Sequence, residues 1–253
     1  MTPLLDAQSI SVHFGGIKAL DDVSLDVRAG ELVGLVGPNG AGKTTLFNCI
    51  VGLERPSAGK VSVDGRDVTT MAVHRRARLG IGRTFQRLEL FAGMSVREHV
   101  IVADRAHRRS GGLLADLVGR GRPTAVEIAR AEETLDLVGL AEAAPAPVES
   151  LPLGQGRLVE LARALVSQPR LLLLDEPSSG LDADETARLA GVITEIRKEA
   201  GSAVLLVEHD LDLVRALAER LFVLDSGRML ASGAPAAVLA DVNVVAAYVG
   251  TTP

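Results

Sequence analysis

Near the start of the chain Ile10, Val12 and Phe14 alternate with polar residues, and Val23, Leu25 and Val27 repeat the pattern. A period of two puts successive side chains on opposite faces of an extended backbone, so both runs predict half-buried strands. Residues 31–36 (ELVGLV) form a continuous apolar run instead, the mark of a strand covered on both faces. That run leads directly into a glycine-rich stretch, and residues 43–51 after it are helix-compatible, giving strand, loop, helix. Val61 and Val63 alternate up to Asp64-Gly65, a pair suited to a tight hairpin turn because both residues tolerate positive φ.

From about residue 95 to residue 167 the periodicity turns helical. Ser95 with Glu98, and Thr124 with Glu127, have the capping-box spacing that satisfies the first free amides of a helix. Between them, residues 110–123 (SGGLLADLVGRGRP) read as a surface excursion. Residues 143–152 (AAPAPVESLP) hold three prolines and read as a linker. From Leu171 onward strands and helices alternate: a buried strand LLLLDE, an amphipathic helix over 183–199 stopped by Gly201, a buried strand over 203–208, a helix over 211–219, then strands around 221–224 and 228–231. Buried apolar strands separated by helices predict an α/β fold with a mainly parallel sheet covered on both faces. The helical stretch in the middle is then an insertion.

Composition narrows the partners. A chain of 253 residues is long enough for one or two cored domains. Its formal net charge of −5 argues against a nucleic-acid binder that relies on a broad basic surface. The arginines at 75, 76 and 78 and the cluster 105–109 are then expected as solvated helix faces or docking contacts. Cys49 is the only cysteine, which excludes an intramolecular disulfide and a cysteine-built metal site. The first residues, MTPLLDAQ, lack the basic and apolar blocks of a signal peptide. Apolar runs such as 171–174 and 203–207 are far shorter than the roughly 20 residues that span a bilayer. The expectation is a soluble, cytoplasmic chain whose membrane role comes through a partner.

The candidate chemistry lies at residues 37–44, GPNGAGKT, which fits G-x-x-x-x-G-K-[ST]. Glycines at Gly37, Gly40 and Gly42, with Pro38, Asn39 and Ala41 between them, let successive amides point into one anion-binding nest. The helix that starts near Lys43 adds the partial positive charge of its N-terminus. Lys43 is expected to reach the β- and γ-phosphates, Thr44 to ligate Mg²⁺, and Thr45 to line the same loop. Asp175 and Glu176 close the strand LLLLDE. A carboxylate there can hold Mg²⁺ beside the loop, and Glu176 can orient or deprotonate an attacking water. These two motifs together predict Mg·ATP binding.

The remaining motifs, in order, are Gln86 in IGRTFQ, Leu151-Pro-Leu-Gly-Gln155, Ser179-Gly-Leu-Asp182, and His209 in VEHD. This order resembles the ATP-binding-cassette ATPases over essentially the whole chain. The resemblance implies a P-loop NTPase with a RecA-like core, an antiparallel β subdomain and an inserted helical signature subdomain. It divides one ATPase domain into residues 1–94 with 168–253, and residues 95–167. It implies that Gln86 touches Mg²⁺ and the attacking water, that His209 contacts the γ-phosphate, and that Phe14 stacks on adenine. Leu153, Gly154, Gln155 and Asp182 would contact ATP held by a second, facing ATP-binding subunit. The catalytic set is Glu176, His209, Lys43 and Gln86, and the metal set Thr44, Gln86 and Asp175.

The segments GIGRTFQRLELFAGMSVREHV, VEHDLDLV and NVVAAYVG are similar to the ATP-binding subunits of branched-chain amino-acid importers, and within them to the first of two paired subunits. That similarity implies two membrane permeases, an extracytoplasmic solute-binding protein, and docking of membrane helices near residues 86–91. Exporters of lipid or lipopolysaccharide share part of the tail and form the alternative, with a non-transport cassette ATPase further behind. One departure stands out. Where the family signature reads L-S-x-G-Q, Pro152 takes the place of the serine and supplies no hydroxyl. The hypothesis that follows is an asymmetric heterodimer whose partner carries the intact signature.

Overall fold

A computed structural model describes residues 2–84, 90–108 and 122–249. Gln86, most of the 110–123 excursion and Gly250 lie outside the described residues. Strands β1 (Leu5–Phe14) and β2 (Ile17–Val27) pair antiparallel, and β1 pairs on its other edge with β4 (Ala58–Val63). The short β5 (Arg66–Asp67) completes a sheet of order β2-β1-β4-β5. Asp64 and Gly65, at φ 52° and 73°, form the two-residue turn between β4 and β5.

Strand β1 starts earlier than its alternation suggests, and the cause is local. Leu5 and Ala7 are buried on odd positions, Ile10 and Val12 on even ones. The register shifts between Ala7 and Ile10, where Ser9 has φ 50°. A bulge of this kind adds a residue and changes the inward-facing frame, which hides the first half of the strand from a period-two reading.

The second sheet has the order β10-β9-β3-β8-β7-β6. Strands β3 (Leu32–Val36), β6 (Ile81–Arg83), β7 (Leu171–Asp175), β8 (Ala203–Val207) and β9 (Arg220–Asp225) are parallel, and β10 (Arg228–Gly233) returns antiparallel beside β9. Every residue of β3, β7 and β8 is buried, as their unbroken apolar runs require. Val33, Leu35, Leu171, Leu173, Leu205 and Val207 face α1 (Lys43–Val51) and the antiparallel sheet. Leu32, Val36, Leu172, Leu174, Val204 and Leu206 face a second core under the remaining helices.

Apart from α2 (Val73–Ala77), whose Val73 packs against the first core, those helices are α3 (Val96–Arg108), α4 (Ala125–Leu137), α5 (Leu153–Leu165), α6 (Ala183–Ala200), α7 (Leu211–Leu217), α8 (Pro235–Leu239) and α9 (Val242–Val249). Both expected capping boxes form. The Ser95 amide donates to Glu98 Oε2 at 2.7 Å while the Glu98 amide donates to Ser95 Oγ at 3.3 Å, and Thr124 and Glu127 exchange the same pair. Of the described residues, no helix is long and apolar enough to cross a membrane. The whole is an α/β fold with a parallel core, as the strand-and-helix alternation predicts.

Two arginines depart from the expectation of solvated faces. Arg76 is 2% exposed and donates from Nη1 to the carbonyls of Cys49 and Ile50, both at 2.7 Å. Its Nε and Nη2 reach the carbonyls of Met71 and Thr69 at 2.9 and 3.0 Å. The guanidinium thereby caps the carbonyl end of α1, where a cation offsets the helix dipole. Arg105 is also buried, bonded to Glu127 at 2.7 and 2.9 Å. That arginine, set against desolvation, holds the Glu127 carboxyl down at about 2.

Candidate nucleotide-binding site

The carboxyl ends of the neighbouring strands β3, β8 and β7 open side by side, the usual place for a ligand in an open parallel sheet. From β3 the chain enters the glycine loop, from β7 it reaches Asp175-Glu176, and from β8 it reaches Glu208-His209. An open cleft there is lined by Asn39 to Thr45 together with Ala19, Glu176 and His209. Gly37 has φ 150°, and a side chain on it would meet the Leu224 carbonyl oxygen at 2.1 Å, so only glycine lets the loop leave β3 along this path.

Lys43 is buried at the base of the loop, where Nζ donates to the carbonyls of Gly37 at 2.7 Å and Pro38 at 3.1 Å. Burial pulls its pKa below the usual lysine range, and the charges of Glu176 and Asp175 pull it back. Thr44 is exposed toward the cleft. Asp175 is 7% exposed and its Oδ1 has no hydrogen-bond partner among the described residues. Burial first, and then the neighbouring Glu176, push its carboxyl up to about 6. A buried carboxylate oxygen left open at the end of β7, with a threonine hydroxyl exposed in the phosphate-type loop, suits a hard cation, so the donors present fit Mg²⁺.

Glu176 has φ 49°, a left-handed backbone that turns the chain sharply at the end of β7. Its Oε2 lies 2.9 Å from His209 Nε2, so the two residues that end adjacent strands meet across the cleft. Glu208 supplies a link that motif reading did not single out. It is 1% exposed, and its two carboxylate oxygens accept the amides of Ser178 at 2.9 Å and His209 at 3.1 Å. Thr84 is a second such residue, its hydroxyl accepting the Asp175 amide at 3.4 Å. An acidic residue at the end of a buried strand was the available signal for Glu208, the same one that marks Asp175. Tyr248 of α9 packs against the Gly37 backbone from below, and burial pushes its phenol up to about 12.

Phe14 ends β1 and is 49% exposed, while Ile10 and Val12 on the same strand are sealed in the core. The ring is therefore free to meet a flat ligand.

A second group of residues lies apart from that cleft. Pro152 is the N-cap of α5 and offers no side-chain cap, so the first amides of α5 have no intrahelical partner. Leu153 and Gln155 are exposed there. Gly154 is packed so tightly that a Cβ on it would come 2.5 Å from Glu185 Oε1. Glu185 Oε2 accepts the Asp182 amide at 3.2 Å and Asp182 Oδ1 accepts the Glu185 amide at 2.8 Å, which caps α6. Arg157 Nη2 donates to the Ser179 carbonyl at 3.2 Å. Residues 153–155 and the loop 179–182 thus form one exposed edge.

A phosphate-type loop beside two acidic strand ends, at the carboxyl edge of a parallel sheet, defines a nucleotide-binding ATPase site. The family model described as ABC transporter matches residues 20–179, and the chain belongs to that family as an ATP-binding, ATP-hydrolysing subunit. It is 39% identical over 251 residues to the high-affinity branched-chain amino acid transport ATP-binding protein LivG of Salmonella typhimurium, covering 98% of each chain. It is 37% identical to the BraF protein of the same description from Pseudomonas aeruginosa, again over 98% of each. An ATP-binding cassette of an ABC transporter solved in its ADP conformation superposes with a TM-score of 0.88 at 29% identity, covering 99% of this chain and 100% of that one.

Proposed function

We propose that this subunit powers import of branched-chain or related amino acids, working on the cytoplasmic face of the membrane beneath two separate permease subunits that an extracytoplasmic solute-binding protein supplies. The observation that carries this reading is end-to-end similarity to branched-chain amino acid transport ATP-binding proteins from two genera. The acidic chain has no part for nucleic acid in this scheme. The test is reconstitution with the permeases and solute-binding protein of a branched-chain amino-acid importer. Leucine, isoleucine or valine should stimulate ATP turnover several-fold, and stimulation by a lipid or lipopolysaccharide substrate alone would reverse the reading.

In the proposed reaction the loop amides from Gly37 to Thr45 and the Lys43 ammonium hold the triphosphate, and Phe14 stacks on adenine. Thr44, Asp175 and Gln86 would hold Mg²⁺. When bound, that ion neutralises charge on the phosphate oxygens. Glu176 orients water for in-line attack, and His209, held near it by Glu208, turns toward the γ-phosphate. Leu153, Gly154, Gln155 and Asp182 serve the ATP of a facing subunit. We propose residues 95–167 as the signature-bearing subdomain, and residues 1–94 with 168–253 as the ATP-binding core. Pro152 makes that facing subunit a different chain, one with the serine that this signature lacks. The membrane segments dock near Leu90 and Phe91.

A further inference from the structure

Phe91 is 56% exposed, at the start of the loop that leads into α3. Beneath it lies His99, a residue of α3 that is only 1% exposed. The Phe91 amide donates to His99 Nε2 at 2.8 Å, and His99 Nδ1 lies 2.9 Å from the Ser95 carbonyl. A carbonyl only accepts and an amide only donates, so the proton must sit on Nδ1 and Nε2 must be bare. The imidazole is therefore neutral, in one tautomer. Burial holds its pKa below the usual histidine range, as does Arg163 of α5, against Ser95, Glu98 on its own helix and Glu149 on the 146–149 segment. The two rings stack with centroids 6.0 Å apart, and the Arg163 guanidinium lies 5.9 Å from the Phe91 ring centre.

The same loop is fastened on its far side. The Gly93 amide donates to Glu149 Oε1 at 2.6 Å, the Val148 amide to the Met94 carbonyl at 3.1 Å, and the Val96 amide to the Ala146 carbonyl at 3.0 Å. Segment 146–149 runs within a few residues into Pro152 and the N-terminus of α5. An exposed aromatic ring is thus anchored below by one histidine and laterally by the strand of chain that delivers the signature.

We propose that His99 is a positioning residue for coupling: it fixes loop 91–95 so that the Phe91 ring is presented to an apolar side chain on a cytoplasmic segment of a membrane subunit, and so that displacement of the ring passes through residues 146–149 to residues 153–155. This rests on the docking reading given above. His99 touches no nucleotide group, and its effect runs through Phe91.

The test uses the transporter assembled with its membrane subunits in lipid nanodiscs, reading basal ATP turnover and the stimulated turnover separately. Phe91→Ala should leave basal turnover within about twofold and cut stimulation about tenfold or more, as loss of a central aromatic anchor does. His99→Phe keeps the ring and removes the acceptor; it should cut stimulation about tenfold. His99→Gln, whose side-chain oxygen can accept the Phe91 amide, should restore most of it. Stimulation intact in His99→Phe, with Phe91→Ala uncoupled, would overturn the role of His99 while leaving the docking site standing. Stimulation intact in Phe91→Ala would overturn the docking reading itself. Equal loss of basal and stimulated turnover in His99→Phe, unrescued by glutamine, would make the histidine a packing residue only and would also overturn the proposal.

Discussion

The cleft around Lys43 and the edge around Gly154 both face phosphate in the proposed cycle, yet they are built in opposite ways. In the cleft the charged groups are buried and mutually arranged: Lys43 on its own loop carbonyls, Glu176 against His209, Asp175 under Thr84. At the edge the anion-seeking element is a bare helix start, with Leu153, Gln155 and Asp182 exposed. The first region carries its fixed charge on the chain's own residues. The second carries little charge of its own and needs a facing subunit before it can act. In the proposed cycle chemistry is concentrated in one region, and control over when it happens is left to the other.

Removing chemistry from the cleft should therefore have the largest effect. Glu176→Gln should lower ATP turnover about 10²–10³-fold while nucleotide affinity stays near wild type, measured by steady-state phosphate release and fluorescent-nucleotide binding. Unchanged turnover would mean that this cleft is not a hydrolytic site. Gly37→Ala tests the scaffold. The clash with the Leu224 carbonyl should lower unfolding free energy by about 3 kcal/mol, read from denaturant melts.

The edge should respond more gently. Pro152→Ser restores a hydroxyl at the start of α5 and adds about 1.5–3 kcal/mol of contact to a bound γ-phosphate, so turnover at the site it completes should rise about tenfold. If wild-type homodimers already match the assembled heteromer, the asymmetry between the two composite sites fails. The smallest effect expected is on pH. The Asp175 carboxyl, raised to about 6, is ionised above that value and protonated below it, and a metal must displace the proton. The sign follows: Mg²⁺-dependent nucleotide binding is full above about 6 and weakens as pH falls through it, by about fourfold between pH 7.5 and 5.5. Without metal the same pH change should matter less.

Local motifs made the cleft residues legible, because glycine loop, lysine and strand-end carboxylates are each contiguous in sequence. By its order in the chain Asp182 resembles an interface residue, and the D-x-x-E spacing also writes its capping of α6 with Glu185. What could not be read is contact across distance. Arg76 is one of three arginines in four residues, and nothing local tells that its guanidinium is swallowed by the end of α1, 26 residues back. His99 looks like any polar residue on a helix until Phe91 folds over it. In β1 the bulge at Ser9 breaks the very period on which strand reading depends.

One buried group also sets how such experiments can be done. Cys49 sits inside α1 at 0% exposure, and burial pushes its thiol up to about 11, so almost none of it is thiolate at neutral pH. Maleimides and thiol-directed spin labels should pass over the native chain. A cysteine placed at Leu90 or Gln155 would then be the single reactive thiol, and the docking loop or the α5 edge could be tagged and tracked through the cycle on an otherwise unaltered sequence.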